Sequence, residues 1–228
     1  MIHSFLLIGQ SNMAGRGLLN EAKEIDTRRI KVLRNGRWQT MFRPVISDRD
    51  VSGVCLAESF AECYAEKYDT DVGLIGCADG GTSLDQWAPD GVLYRNAIFQ
   101  AKLAMESSIL TGILWHQGEA DCFEGLHATY KTRLAKFIEN LRKDIGIPDI
   151  PIVMGGLGDF LKLTSFTEYI ENTDTINKAT QEVADSDELL GFASAKGLSA
   201  NSDNVHFNAE SLHELGIRYF NEFEKLKK

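Results

Sequence analysis

The chain has no run of about 18 consecutive apolar residues, so no membrane span is expected. It has no clustered Lys or Arg to offset its net charge of −9, which argues against a nucleic-acid partner, because affinity for the phosphate backbone comes from such clusters. Its four cysteines (Cys55, Cys63, Cys77, Cys122) include no C-x-x-C pair. Cys55 and Cys63 fall two turns apart on one expected helix, roughly 12 Å, beyond the reach of a disulfide. Cys77 lies in an expected buried strand, so all four are read as free thiols acting as small hydrophobes. The N-terminus lacks a basic segment, an apolar stretch and a small-residue cleavage site in that order. With a strand beginning almost at Met1, a cytoplasmic protein is expected, the alternative being a secreted chain trimmed of its leader. Internal repeats and low-complexity segments are absent too.

What is present is an ordinary globular composition, 43% apolar and 25% charged over 228 residues, read as one domain spanning 1–228. The chain is organised around its first strand. Phe5 to Ile8 is a continuous apolar run of the kind buried on both faces of a parallel sheet, and it stops abruptly at Gly9-Gln10-Ser11-Asn12-Met13. Gly15-Arg16-Gly17 reads as a flexible loop opening a long irregular stretch to about Ser52. Within it, Asn35-Gly36 between two strand-like runs predicts a hairpin at about 28–42, expected as a small surface excursion. Leu56, Phe60, Tyr64 and Tyr68 recur at helical spacing, and a strand follows over Asp71–Ala78. A helix is expected from Leu93 to Met105, then a strand from Ile109 to Trp115. A further helix carries Leu126, Tyr130, Leu134, Phe137 and Leu141 and ends at Gly146 and Pro148. Strand Pro151–Gly155, helix Thr173–Ala184, strand Leu189–Ala195 and a closing helix bearing Leu212 to Leu226 complete the order. Strands alternating with helices predict an α/β fold, a three-layer α/β/α sandwich around a doubly wound parallel sheet of roughly five strands.

In such sheets ligands bind beyond the carboxyl ends of the strands. Four strand ends here carry polar residues: Ser11, Gly81, Gln117 with Glu119, and the loop holding Asp203 and His206. Together they supply a hydroxyl nucleophile, an imidazole base, a carboxylate and oxyanion donors. Taken alone, Ser11 could equally cap the next helix. Gly9–Arg16 lacks the G-K-[ST] ending of a phosphate loop, and Met13 stands where a G-x-S-x-G elbow needs its second glycine. His116, Glu119, Asp121 and Cys122 match neither H-E-x-x-H nor a structural zinc spacing, so no metal or other cofactor is expected. His3, His127 and His213 are read as structural or exposed.

Gly9-Gln10-Ser11-Asn12-Met13, Gly80-Gly81-Thr82-Ser83, Trp115-His116-Gln117-Gly118-Glu119 and Asp203-Asn204-Val205-His206, in that order, resemble the SGNH-hydrolase superfamily. More narrowly they resemble its sialate O-acetylesterase and acetylxylan esterase branch, which removes acetyl groups from sugars. The resemblance implies a flavodoxin-like fold, with Ser11 as nucleophile and His206 as general base. It places the Ser11 N–H, the Gly81 N–H and the Gln117 side-chain amide in the oxyanion hole. Asp203, three residues before His206, is the expected triad acid, and Glu119 is the alternative. Gln10, Asn12 and Trp87 are expected to face substrate, although Trp87 could instead be core. The expected activity is a serine esterase deacetylating a carbohydrate of the acetylxylan or O-acetylated sialic acid type. A short-chain acyl or lipid esterase, or a carbohydrate-binding module that kept the fold without the chemistry, is the alternative. The expected partner is therefore a small ester, with no nucleic acid and no membrane, and nothing fixes the oligomeric state.

Overall fold

The computed structural model describes residues 1–226, and it is built on a mixed sheet of seven strands. In chain order the elements are β1 (Ile2–Gly9), α1 (Ser11–Ala14), β2 (Ile30–Arg34), β3 (Arg37–Thr40), α2 (Ala57–Tyr68), β4 (Val72–Gly76) and α3 (Val92–Met105). They continue with β5 (Ser108–His116), α4 (Tyr130–Ile145), β6 (Ile152–Gly155), α5 (Thr167–Ala184), β7 (Leu190–Ala193) and α6 (Ala209–Leu226). The sheet order is β3-β2-β4-β1-β5-β6-β7. From β1 the chain crosses out to β2, turns at the edge through β3, returns as β4 into the place between β2 and β1, and then builds outward on the other side through β5, β6 and β7. The reversal puts a crevice at the carboxyl end of β1, where doubly wound sheets bind ligands.

The expected sheet of roughly five strands is thus too small. The Asn35-Gly36 hairpin forms as read, but it is no surface excursion: β2 pairs in parallel with β4, Ile30 opposite Val72 and Val32 opposite Leu74, and β3 closes the edge antiparallel to β2. Ile30 and Val32 are buried while Lys31 between them is not, the alternation of a strand with one face on the core. Helix α5 begins at Thr167, six residues before the expected start at Thr173.

Phe5 to Ile8 are fully buried, as a central parallel strand covered on both faces requires. On one face Phe5 meets Phe60 and Tyr64 of α2 and Phe223 of α6 edge-on, with centroids 4.8, 4.9 and 5.4 Å away. Each such pair contributes about 0.5–1.5 kcal/mol beyond burial. On the other face Trp115 of β5 packs on Phe137 of α4, at 4.6 Å. The two packed faces hold the strand ends rigidly. No helix among the described residues is long and apolar enough to cross a membrane, and all four cysteines are free.

Candidate active site

At the end of β1, Gly9 adopts φ +127, and a Cβ there would lie 2.1 Å from the His116 carbonyl oxygen. Only glycine allows this turn. It swings the chain into α1, whose N-cap is Gln10, so Ser11 is the first helical residue and not the cap. The Ser11 hydroxyl instead lies 2.9 Å from His206 Nε2.

His206 comes from the loop between β7 and α6, and that loop is tightly built. Asp203 Oδ1 accepts the N–H groups of Val205 and His206, at 2.8 and 3.0 Å, while Oδ2 lies 2.7 Å from His206 Nδ1. A carboxylate only accepts, so Nδ1 carries the proton and Nε2 is left to accept from Ser11. Burial pushes the Asp203 carboxyl up, but the hydrogen bonds from the His206 ring and from the His206 and Val205 N–H groups outweigh it and hold it below the usual carboxylate range. Glu119, the alternative acid, makes no hydrogen bond or ion pair with the His206 ring. Its Oε1 accepts from Asn12 Nδ2 at 2.5 Å and lies 3.8 Å from His116 Nε2.

Gly81 follows β4 with φ +76, and neither its N–H nor that of Ser11 has a hydrogen-bond acceptor among the described residues. Its loop is anchored by Asp48. The two oxygens of Asp48 accept from Arg16 Nη1 and Nη2, at 3.0 and 2.6 Å, and Oδ2 also accepts the Gly80 N–H at 2.8 Å. Arg16 is therefore no part of a flexible loop: it is 7% exposed, and Gly17 forms a bridge with Val54. Asp48 is a residue that sequence reasoning missed, since nothing local marks a partner for Arg16 that stands 32 positions away. Burial raises the Asp48 pKa, but hydrogen bonds from Arg16 and Ser52 lower it further, so the net shift is downward. A depressed carboxylate contributes stability above its unfolded pKa of about 4, and loses it as pH falls through the lower folded value. Asp48→Asn, which strands a buried guanidinium, is therefore expected to cost about 3–5 kcal/mol at pH 7. In urea denaturation the gap from the unaltered protein should narrow as pH drops below about 4. A gap independent of pH would deny Asp48 its charge.

Three further expectations are corrected. Trp87 is 1% exposed, bonds Thr82 Oγ1 through Nε1 and packs edge-on against Trp115, so it is core and cannot stack on a sugar. Gln117 is 1% exposed and its amide is fully engaged: Nε2 donates to Asp121 Oδ2 (2.6 Å) and Thr82 O (3.1 Å) and lies 3.3 Å from Gln10 Oε1. It braces the Gly81 loop from behind and has no N–H left for an oxyanion. Asn12 is 1% exposed and points to Glu119 and the His206 loop, not to substrate. Gln10 is mixed. Its Oε1 faces the Gln117 amide and the N–H groups of Gly118 and Ala120, whereas its Nε2 makes no hydrogen bond and is not among the buried atoms left unpaired.

Among the described residues no three His, Cys, Asp or Glu side chains form a metal-binding group. Asp121 is neutralised by Arg133 at 2.6 Å, and burial pushes the Cys122 thiol up to about 12. A cleft of about 530 Å³ adjoins His206 and Asp203, lined by Leu18, Val51, Asn201, Ser202 and Asn208 among others. A larger hollow of about 670 Å³, between α4 and α5 around Ile138 and Val183, touches none of these groups.

The family model for carbohydrate esterases of the sialic acid-specific acetylesterase type matches residues 1–225. The chain belongs to this family. The sialic acid-specific acetylesterase family is a family of ester hydrolases, and the relatives agree. The chain is 28% identical over 236 residues to a probable carbohydrate esterase of Arabidopsis thaliana, covering 93% of this chain and 86% of the plant protein. The solved structure of that plant protein superposes with a TM-score of 0.84 at 25% identity, covering 97% of each chain. NanS (TM-score 0.76, 15% identity, 98% of this chain and 96% of that one) shares the fold. So does a carbohydrate acetylesterase from Xanthomonas citri (TM-score 0.71, 15% identity, 97% of this chain and 56% of that one). The chain carries helices on both sides of its sheet.

Proposed function

We propose that the protein is a serine esterase that removes O-acetyl groups from a carbohydrate through an acetyl-enzyme. The observation that carries this reading is the line from Ser11 Oγ to His206 Nε2 (2.9 Å) and from His206 Nδ1 to Asp203 Oδ2 (2.7 Å). His206 takes the Ser11 proton as Oγ attacks the acetyl carbonyl, and Asp203 stabilises the imidazolium that forms. The imidazolium then protonates the departing sugar alkoxide. Water, deprotonated by His206, releases acetate in the second half.

For the oxyanion, the unengaged N–H groups of Ser11 and Gly81 are two donors. We assign the third to Gln10 Nε2 and not to Gln117: the Gln10 amide is fixed by its oxygen and its nitrogen is unengaged, the reverse of Gln117. Each preorganised donor lowers the barrier by about 3 kcal/mol. The sugar is assigned to the cleft beside His206, where Asn201, Ser202 and Asn208 offer polar contacts and Leu18 and Val51 apolar ones.

The test is a substrate series. Release of acetate from acetylated xylan or O-acetylated sialic acid is expected. Among 4-nitrophenyl esters, kcat/KM should fall from acetate to butyrate to octanoate. Rates that climb toward octanoate, with no acetate from either sugar, would make the protein a lipid esterase instead.

A further inference from the structure

We infer that the Asn12 side chain, held in orientation by Glu119, clamps the backbone on both sides of His206 and so sets the imidazole against Ser11. This rests on the reading of Ser11 and His206 given above. Asn12 is the residue next to Ser11, yet its side chain turns away from the cleft into the protein. Nδ2 donates to the carbonyl of Val205 at 3.3 Å, and Oδ1 accepts the N–H of Phe207 at 3.1 Å. Those are the backbone groups flanking His206. The second Nδ2 hydrogen goes to Glu119 Oε1 at 2.5 Å. Both amide hydrogens and the amide oxygen are thus used. The orientation is unique, because a flipped amide would set its oxygen against a carboxylate and a carbonyl, and its N–H against the Phe207 N–H.

Sequence and packing explain why this joint is stiff. Asn12 lies in α1, one residue beyond the nucleophile, so nucleophile and clamp move together. Glu119 projects from the loop after β5, the strand paired with β1, and is 1% exposed. Phe207, on the far side of His206, is fully buried against Phe160 and His116. The loop carrying the base is therefore tied to the segment carrying the nucleophile through a buried amide, beside the bond from Asn201 Nδ2 to the Arg16 carbonyl at 2.8 Å. Glu119 is then a positioning residue, acting through Asn12 with no hydrogen bond or ion pair to the imidazole. Its carboxylate geometry matters and its charge does not.

That distinction is measurable. Asn12→Ala is expected to lower kcat about 10²-fold with little change in KM, the scale of a misplaced catalytic group. Hydrogen exchange at the Phe207 amide should quicken in the same variant, because its acceptor is gone. Glu119→Ala should lower kcat similarly. The double variant should be no slower than Asn12→Ala alone, because the two residues act as one unit. Glu119→Gln keeps a carbonyl oxygen for Asn12 and should recover most of the kcat lost in Glu119→Ala. Should Glu119→Gln lose as much as Glu119→Ala while remaining folded, the charge itself is at work and the inference fails. Full kcat in Asn12→Ala would overturn it equally. If instead Ser11→Ala retains hydrolysis, the underlying reading fails, while quickened Phe207 exchange in Asn12→Ala would still establish the clamp.

Discussion

Ser11→Ala is expected to lower kcat for acetyl ester hydrolysis by about 10⁶, the loss seen when a serine nucleophile is removed from a triad. The fold should survive. Ser11 is not the helix cap, and the hydrogen bond its hydroxyl makes is to His206. Losing one such bond costs about 1 kcal/mol, so thermal unfolding should shift by only a few degrees while turnover vanishes. Incubation of the unaltered protein with a 4-nitrophenyl ester should give a burst of chromophore followed by slower turnover wherever deacetylation limits the rate. A variant that keeps substantial activity at an unchanged midpoint would remove Ser11 from the chemistry and take His206 and Asp203 with it.

The parts of this arrangement that could be read from the sequence are those written in local pattern. Phe5–Ile8 announces a doubly covered strand because it has no polar face, and Gly9 announces the turn because no side chain fits there. Asp203 and His206 are close in the chain, so their meeting needed no long-range knowledge. What escaped was direction and distance. Trp87 follows Gly81 closely in sequence, yet its ring points to Trp115 and the core. Gln117 sits at the right strand end, but its amide is drawn inward by Asp121, itself buried against Arg133. Asp48 pairs across 32 residues with an arginine that looked like loop. The Asn35-Gly36 turn was legible, whereas the partner of β2 was not, because one buried face does not say which strand lies alongside. The early start of α5 was hidden because its first turns are largely exposed, and Tyr169, Ile176 and Val183 recur only every seven residues.

Asp203→Asn tests the other half of the site, and the expected loss in kcat is about 10⁴. The reason is tautomeric. In the native loop Asp203 Oδ2 accepts from Nδ1, which leaves Nε2 free of a proton and able to take one from Ser11. An asparagine amide hydrogen in that place requires Nδ1 to accept, which puts the proton on Nε2 and turns the base into a donor. Asp203→Ala removes the orienting partner without enforcing the wrong tautomer, so it should be no more damaging than Asp203→Asn. Asp203 is about half exposed, with its side chain at 47%, so screening weakens its charge and the geometric role dominates. Against the upward push of burial, hydrogen bonds from the His206 ring and from the His206 and Val205 N–H groups hold its pKa down, so Asp203 gives up its charge only at lower pH than an ordinary aspartate. An acid-side loss of activity that sets in at the ordinary aspartate pKa should therefore not come from this carboxylate. If Asp203→Asn keeps activity within tenfold of native while Glu119→Gln loses three orders of magnitude, the acid is Glu119. The loop around Asp203, with its oxygens on the Val205 and His206 N–H groups, would then be only a scaffold for the histidine.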